Sequence, residues 1–328
     1  CWSLVGSEMC IRDRFKAGTR TSTFVEFVDL VPTVLSLAGI DIPKSIDGKA
    51  FLGKKLKKSE LEKRNSAFGY ADRFDEKYDL VRSIRKGKYK YMRNYQPFNV
   101  DGLYNFYRYK MLAYKEWYTL FQDGKLNDIQ SQFFKPKSPE SLYNIEEDPH
   151  ETKNLANDIA YNDILITMRE QLNNHLMSIN DLSFLPEPYF LNNGIDDVVE
   201  YSAQNKTLIK KLIETSNLQL KDYDEVSSQI KNSLNNDNPW IRYWGLIVCS
   251  SFGIKAMENK DKIKVIFEND SENLVRMRAA EFMLLNDIEL NDSKINSLLK
   301  RSNFEAEANL MLNTLANIKT INPKYKLN

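Results

Sequence analysis

From about residue 195 to about residue 320 the chain carries a pattern that admits little besides helices. Glycine is scarce there, and Leu, Ile, Lys, Asn and Glu dominate. Two stretches look alike: NDNPWIRYWGLIVCSSFG (236–253) and NDSENLVRMRAAEFMLLN (269–286). Arg242 and Arg276 fall 34 residues apart, each after a β-branched residue. A third, weaker unit, NFEAEANLMLNTLANI (303–318), follows. A period of this size with paired helices marks a helical solenoid, in which each unit buries one face against its neighbour, and about three units suffice for a stack.

The first 190 residues have a different texture. Phe24, Phe27, Val28, Val31, Val34, Leu35 and Leu37 recur close to a 3.6 period, which predicts a helix that starts near Asp29 and stops at Gly39. Asp29 reads as its cap, with Pro32 in the first turn. SAFGYA (66–71) reads as a short strand. LVRSIR (80–85) and KYKYMRN (88–94) flank Lys86-Gly87, a tight hairpin turn. In ESLYNIEEDPHETKNLA, LYNI reads as a strand. DPHE reads as a turn in which Asp148 bonds the backbone and Pro149 presets φ. Ile164, Met168, Leu172, His175, Leu176 and Ile179 keep helical spacing. PEPYF (186–190) is expected to end that unit, because two prolines cannot continue a helix.

Composition excludes some functions. Lys and Arg number 46 against 45 Asp and Glu, a net charge of +1, which implies no steering toward nucleic acid. No apolar run approaches the roughly 18–20 residues of a membrane span. The opening LVGSEMCIRDR fits neither a signal peptide nor a zinc or redox spacing for Cys1 and Cys10. It is similar, residue for residue, to one reading frame of a transposase-end adapter used in sequencing libraries. Residues 1–14 are therefore set apart, and Cys249 is the cysteine that remains.

Four motifs in order then carry a family resemblance. Asp29, Pro32, Thr33, Leu37, Ala38 and Gly39 match a D-x-x-P-T helix that runs into A-G. Ile46, Asp47 and Gly48 form a short element after it. VRSIRKGKYKYMRNYQP follows, and then Leu142, Tyr143, Asp148, Pro149, Glu151, Asn154, Leu155 and Ala156. Over roughly residues 15–190 the chain resembles the C-terminal part of the sulfatase family, in particular bacterial members grouped with N-sulfoglucosamine sulfohydrolase. The later repeats resemble the HEAT type. The fold class this implies is α/β, an incomplete catalytic domain (15–60) with a small antiparallel sheet and packed helix (61–190), followed by an all-α helical-repeat region (191–328).

The resemblance implies a hydrolase that removes O- or N-sulfate from a sulfated glycan or glycosaminoglycan, in the periplasm or outside the cell. It also implies a formylglycine made from Cys or Ser in a C/S-x-P/A-x-R motif, and a calcium ion on Asp and Asn oxygens. No Cys or Ser here begins such a motif, so the chain alone is expected to be inactive. What remains is substrate recognition. Arg73 could pair a sulfate in forked geometry, and Asp75 and Glu76 could accept from sugar hydroxyls. Arg82 and Arg85, with Lys88 and Lys90, could make a basic strip on one hairpin face. Each also has a plain reading as a solvated charge. Tyr104, Tyr107, Tyr109, Tyr114, Trp117 and Tyr118 could stack sugar rings, with core packing as the competing reading. A helical-repeat adaptor that binds a protein partner and has no catalytic role is the alternative for the whole chain.

Overall fold

The computed structural model describes residues 20–53, 56, 58–74, 77–103, 105–302 and 304–322. The 1–14 stretch, Asp75, Glu76 and Tyr104 lie outside the described residues. The chain divides into two compact units. One takes residues up to Ala67 together with Arg85–Gly87, and the other takes Phe68–Ile84 and Lys88 onward.

In the first unit, helix α1 (Leu30–Ala38) is where the periodicity places it, and it ends at Gly39 with φ +75°. Asp29 precedes the helix but its side chain does not cap it. Its carboxylate instead accepts from the backbone N–H of Lys49 at 2.7 Å and of Glu26 at 3.2 Å. Thr33 continues this seam, accepting from the Phe51 N–H at 3.0 Å. Gly48 is required by close approach, since a Cβ there would lie 1.9 Å from the Val28 carbonyl oxygen. The D-x-x-P-T helix and the Ile46-Asp47-Gly48 element are thus two sides of one backbone contact. The apolar residues of the helix point outward: Phe27 is 90% exposed, and Val28, Val31 and Val34 are exposed as well. That is the apolar face the periodicity draws.

The second unit is built on a four-stranded antiparallel sheet in the order β1 (Ser66–Phe74), β2 (Lys77–Lys86), β3 (Tyr89–Asn94) and β4 (Glu140–Asn144). The β2–β3 turn falls at Gly87-Lys88, with Gly87 at φ +55°. Between β3 and β4 the chain makes a long excursion that carries helix α2 (Leu112–Gln122). Helix α3 (Asn162–Ile179) covers one sheet face, burying Leu165, Met168, Leu172 and Leu176. PEPYF does not close the unit. Pro186 and Pro188 open helix α4 (Glu187–Gly194), where the missing proline N–H costs nothing because first-turn donors have no intrahelical acceptor.

After a short helix at Val198–Gln204, the longer helices are α5 (Lys206–Ser216), α6 (Tyr223–Leu234), α7 (Pro239–Phe252), α8 (Lys260–Asn269), α9 (Asn273–Leu285), α10 (Asp292–Lys300) and α11 (Glu305–Ile321). α6 packs on α7, α8 on α9 and α10 on α11, while α9 lies between α7 and α11. Arg242 grips Asp270 with bonds of 2.7 and 2.9 Å, and Arg276 donates to the Phe267 carbonyl at 2.7 Å. Arg242 ties α7 to the end of α8, and Arg276 ties α9 to α8. α9 is buried almost all round, as a helix with neighbours on several sides must be. Its buried Arg278 and Glu281 bond each other at 2.8–2.9 Å, and Arg278 also reaches the Tyr243 hydroxyl at 2.8 Å.

These helices are fixed to the sheet and do not form a separate body. The Trp244 indole N–H donates to the Phe184 carbonyl at 2.7 Å, and Arg93 on β3 reaches the Ser216 carbonyl at 2.9 Å. Asn317 on α11 bonds Asn99 beyond β3. The two compact units divide beside Ala67. Among the described residues no helix is long and apolar enough to cross a membrane.

Candidate functional site

Strand alternation gives the sheet two unlike faces. In the β3–β4 register Tyr91 stands opposite Leu142 and Arg93 opposite Glu140, while Lys90 stands opposite Tyr143 and Met92 opposite Ser141. The first set faces α3. The second set faces the excursion, residues 95–139.

The excursion is held down by its own aromatics. Trp117 stacks on Phe133 with ring centres 4.7 Å apart, and Phe121 stacks on Phe134 at 4.6 Å. Tyr109 meets Tyr118 edge-on at 5.3 Å and donates its hydroxyl to the Gly102 carbonyl at 2.7 Å. The Trp117 indole N–H donates to the Gln130 carbonyl at 3.0 Å. Tyr109, Tyr114, Trp117 and Tyr118 are therefore packed together, whereas Tyr107 is exposed.

Between this cover and the sheet lies a cavity of about 590 Å³. Trp117 and Tyr143 give it aromatic walls, and Lys137, Asp101, His150 and Glu151 add polar ones. Its size and its mix of rings with a few converging polar groups are those of a small-ligand site. Lys137 is nearly buried. Burial alone would lower its pKa, but contacts with Asp79 and, at 3.4 Å, with Asp101 outweigh that and raise it. It stays an ammonium. Glu151 has a left-handed backbone, φ +54°, which is strained for a residue with a Cβ. Its carboxylate takes Lys90 Nζ at 2.7 and 2.8 Å. The turn before it is held by Asp148, which accepts from the Lys153 N–H at 2.8 Å and the Thr152 hydroxyl at 3.1 Å. The Lys153 bond leads in holding the Asp148 carboxyl below its ordinary value. An aromatic plane beside fixed cations and amides can hold a sugar ring and an anionic substituent together.

The residues singled out from the sequence fall elsewhere. Arg73 pairs with Glu187 and lies over the Tyr78 ring. Arg82 is 4% exposed and clamped, Nε to Asp181 at 2.6 Å and Nη1 to Asp72 at 2.5 Å. Burial works against its charge, and the bonds from Asp181 and Asp72 more than restore it, raising its pKa. Arg85, in the first unit, lies over the Phe24 ring at 5.0 Å. Lys88 approaches Glu147 at 4.0 Å. These cations do not form one strip: Arg82 and Arg85 are an odd number of residues apart, so a strand sends them to opposite faces. Asp101 and Lys137 are not among the residues the sequence points to. The signal that points to them is the long β3–β4 connection, since connections of that length are usually functional.

Among the described residues no group of three or more His, Cys, Asp or Glu side chains is placed to hold a metal ion. Cys249 is buried, and burial pushes its thiol pKa up.

Comparison with known proteins agrees with the strand motifs. Residues 8–135 match the family described as N-sulphoglucosamine sulphohydrolase, C-terminal. The relatives below are named as sulfatases as well. The chain is similar to an ulvan-active sulfatase of Formosa agariphila, 34% identical over 237 residues, covering 71% of this chain and 35% of the relative. A second ulvan-active sulfatase of the same organism is 26% identical over 152 residues, covering 45% of this chain and 28% of the relative. The chain thus spans about a third of the length of the curated relatives it matches. A solved structure described as a complex with its substrate D-glucosamine-2-N,6-O-disulfate overlaps 56% of this chain and 28% of its own, at 17% identity and a TM-score of 0.32.

Proposed function

We propose that the chain is the C-terminal part of a sulfatase that removes O- or N-linked sulfate from a sulfated glycan. In this reading the cavity under residues 95–139 holds part of that glycan. The observation that carries the reading is the 34% identity over 237 residues to a protein named for sulfatase action on ulvan. The cavity supports it with a Trp and a Tyr wall beside Lys137 and His150, the combination that suits a pyranose ring bearing sulfate. Calcium and formylglycine would act in a part of the longer protein outside the described residues. The parent would work in the periplasm or outside the cell. Pro239, Asn273 and Glu305 open α7, α9 and α11 at intervals of 34 and 32 residues. That spacing favours HEAT-like repeats, with the outer stack as a surface for a protein partner.

The expected outcome for this chain alone is no release of sulfate from ulvan or from an aryl sulfate, followed by ion chromatography. Sulfate appearing in proportion to added protein would overturn the assignment of the chemistry to other residues.

A further inference from the structure

The opposite face of the sheet carries a second cavity. It measures about 270 Å³ and lies between β3, α3 and residues 217–221. Arg93 lines it, with Arg169, Asn173, Asn217 and Lys221.

Arg93 is the odd member of a set. Three arginines are buried among the described residues: Arg82, Arg93 and Arg278. Arg82 holds Asp72 and Asp181, and Arg278 holds Glu281. Arg93 bonds neutral acceptors: the carbonyls of Asn94 at 2.8 Å, Pro139 at 2.9 Å and Ser216 at 2.9 Å, and Gln219 Oε1 at 3.1 Å. Its Nε–H has no acceptor among the described residues. The nearest carboxylate that influences it, Glu140, is already taken by Arg169 at 2.6 and 2.9 Å and by the Tyr91 hydroxyl at 2.9 Å. Burial accordingly pulls the Arg93 pKa down, whereas those of Arg82 and Arg278 are raised. A buried charge is ordinarily paired with a carboxylate, whereas this one lies over the Tyr95 ring at 4.6 Å and stands in a cavity wall with one donor unpaired. Lys221 adds a third, exposed cation to the lining beside Arg93 and Arg169, with Glu170 as the one carboxylate there. The amides of Asn173 and Asn217, bonded to each other at 2.9 Å, form part of the wall.

We propose that this cavity binds an oxyanion group, a sulfate or a carboxylate, at the Arg93 and Lys221 side chains that line it. The group is presented free or on a sugar ring, since both offer the same oxygens. The site lies across the sheet from the glycan cavity and stands independently of the proposed function.

The test is calorimetric titration of the full 328-residue chain with sodium sulfate, glucose 6-sulfate and glucuronate, at constant ionic strength in chloride. Saturable binding of at least one is expected. Lys221→Glu should weaken it about tenfold, the worth of one charge-assisted contact, and Arg93→Met should abolish it. Arg93→Met removes four backbone and side-chain bonds and could fail to fold, so Lys221→Glu and Asn217→Ala carry the test without it. Lys206→Glu, an exposed position that lines neither cavity, should leave the affinity unchanged. Binding of sulfate alone assigns the site to a free oxyanion, and binding of the sugars alone assigns it to a glycan group. Absence of binding by all three overturns the proposal. So does binding that Lys221→Glu leaves intact.

Discussion

The two faces of the sheet are made by alternate residues of the same strands, yet they do different work. On the α3 face Leu80, Ile84, Tyr91 and Leu142 are buried with Met168, Leu172 and Leu176. On the other face Val81, Met92, Ser141 and Tyr143 border a cavity of about 590 Å³ under the aromatic excursion. The α3 face spends its residues on packing. The excursion face leaves room that polar groups line. The difference teaches that one pleat can supply both scaffold and site, provided the register holds, because a one-residue slip would exchange the two sets.

The largest effect should come from truncating each face in turn. Leu142 is fully buried, so Leu142→Ala should cost about 2–5 kcal/mol in urea unfolding, the usual range for a core leucine that leaves a void. Met92→Ala, at the cavity wall, should cost less than about 1 kcal/mol, because its removal enlarges space that already exists. Equal losses at the two positions would break the comparison.

A smaller effect concerns the turn that presents Glu151 to the cavity. The Lys153 N–H leads in lowering the Asp148 pKa from its ordinary 3.8. A depressed carboxyl stabilises the fold above its unfolded pKa. That contribution disappears as pH falls through the lower folded value. Carboxyl carbon shifts of Asp148 followed by NMR should therefore show a midpoint below 3.8. A midpoint at or above it would mean that the turn is not held by this carboxylate.

Much of this frame is legible in the sequence, for reasons specific to each element. KYKYMRN and LYNI alternate, so their strands appear near the expected residues, and Gly87 brings the turn within one residue of its expected place. Gly39 and Pro32 bound α1 by local chemistry. PEPYF misleads because proline stops a helix in its interior but is welcome in its first turn. Asp29 reads as a cap, but its partner Lys49 comes from the returning backbone, which periodicity does not reveal. The cavity is the least legible feature. Asp101, Trp117, Lys137, Tyr143 and Glu151 lie on separate segments, and only the closing of the excursion over β3 and β4 brings them together. Arg82 reads as part of a basic strip on the hairpin, and two carboxylates, Asp72 and Asp181, occupy its fork.

The account rests most heavily on the glycan cavity, and titration calorimetry addresses it directly. A sulfated ulvan oligosaccharide and its desulfated counterpart are titrated into the wild-type chain, Trp117→Ala and Lys135→Glu. Preferential binding of the sulfated form is expected. Each substitution should weaken it about tenfold, through lost stacking in one and reversed charge in the other, and Lys135→Glu should unfold at the wild-type temperature. Equal affinity for both oligosaccharides, or affinity indifferent to both substitutions, would contradict the assignment of this cavity to a sulfated glycan.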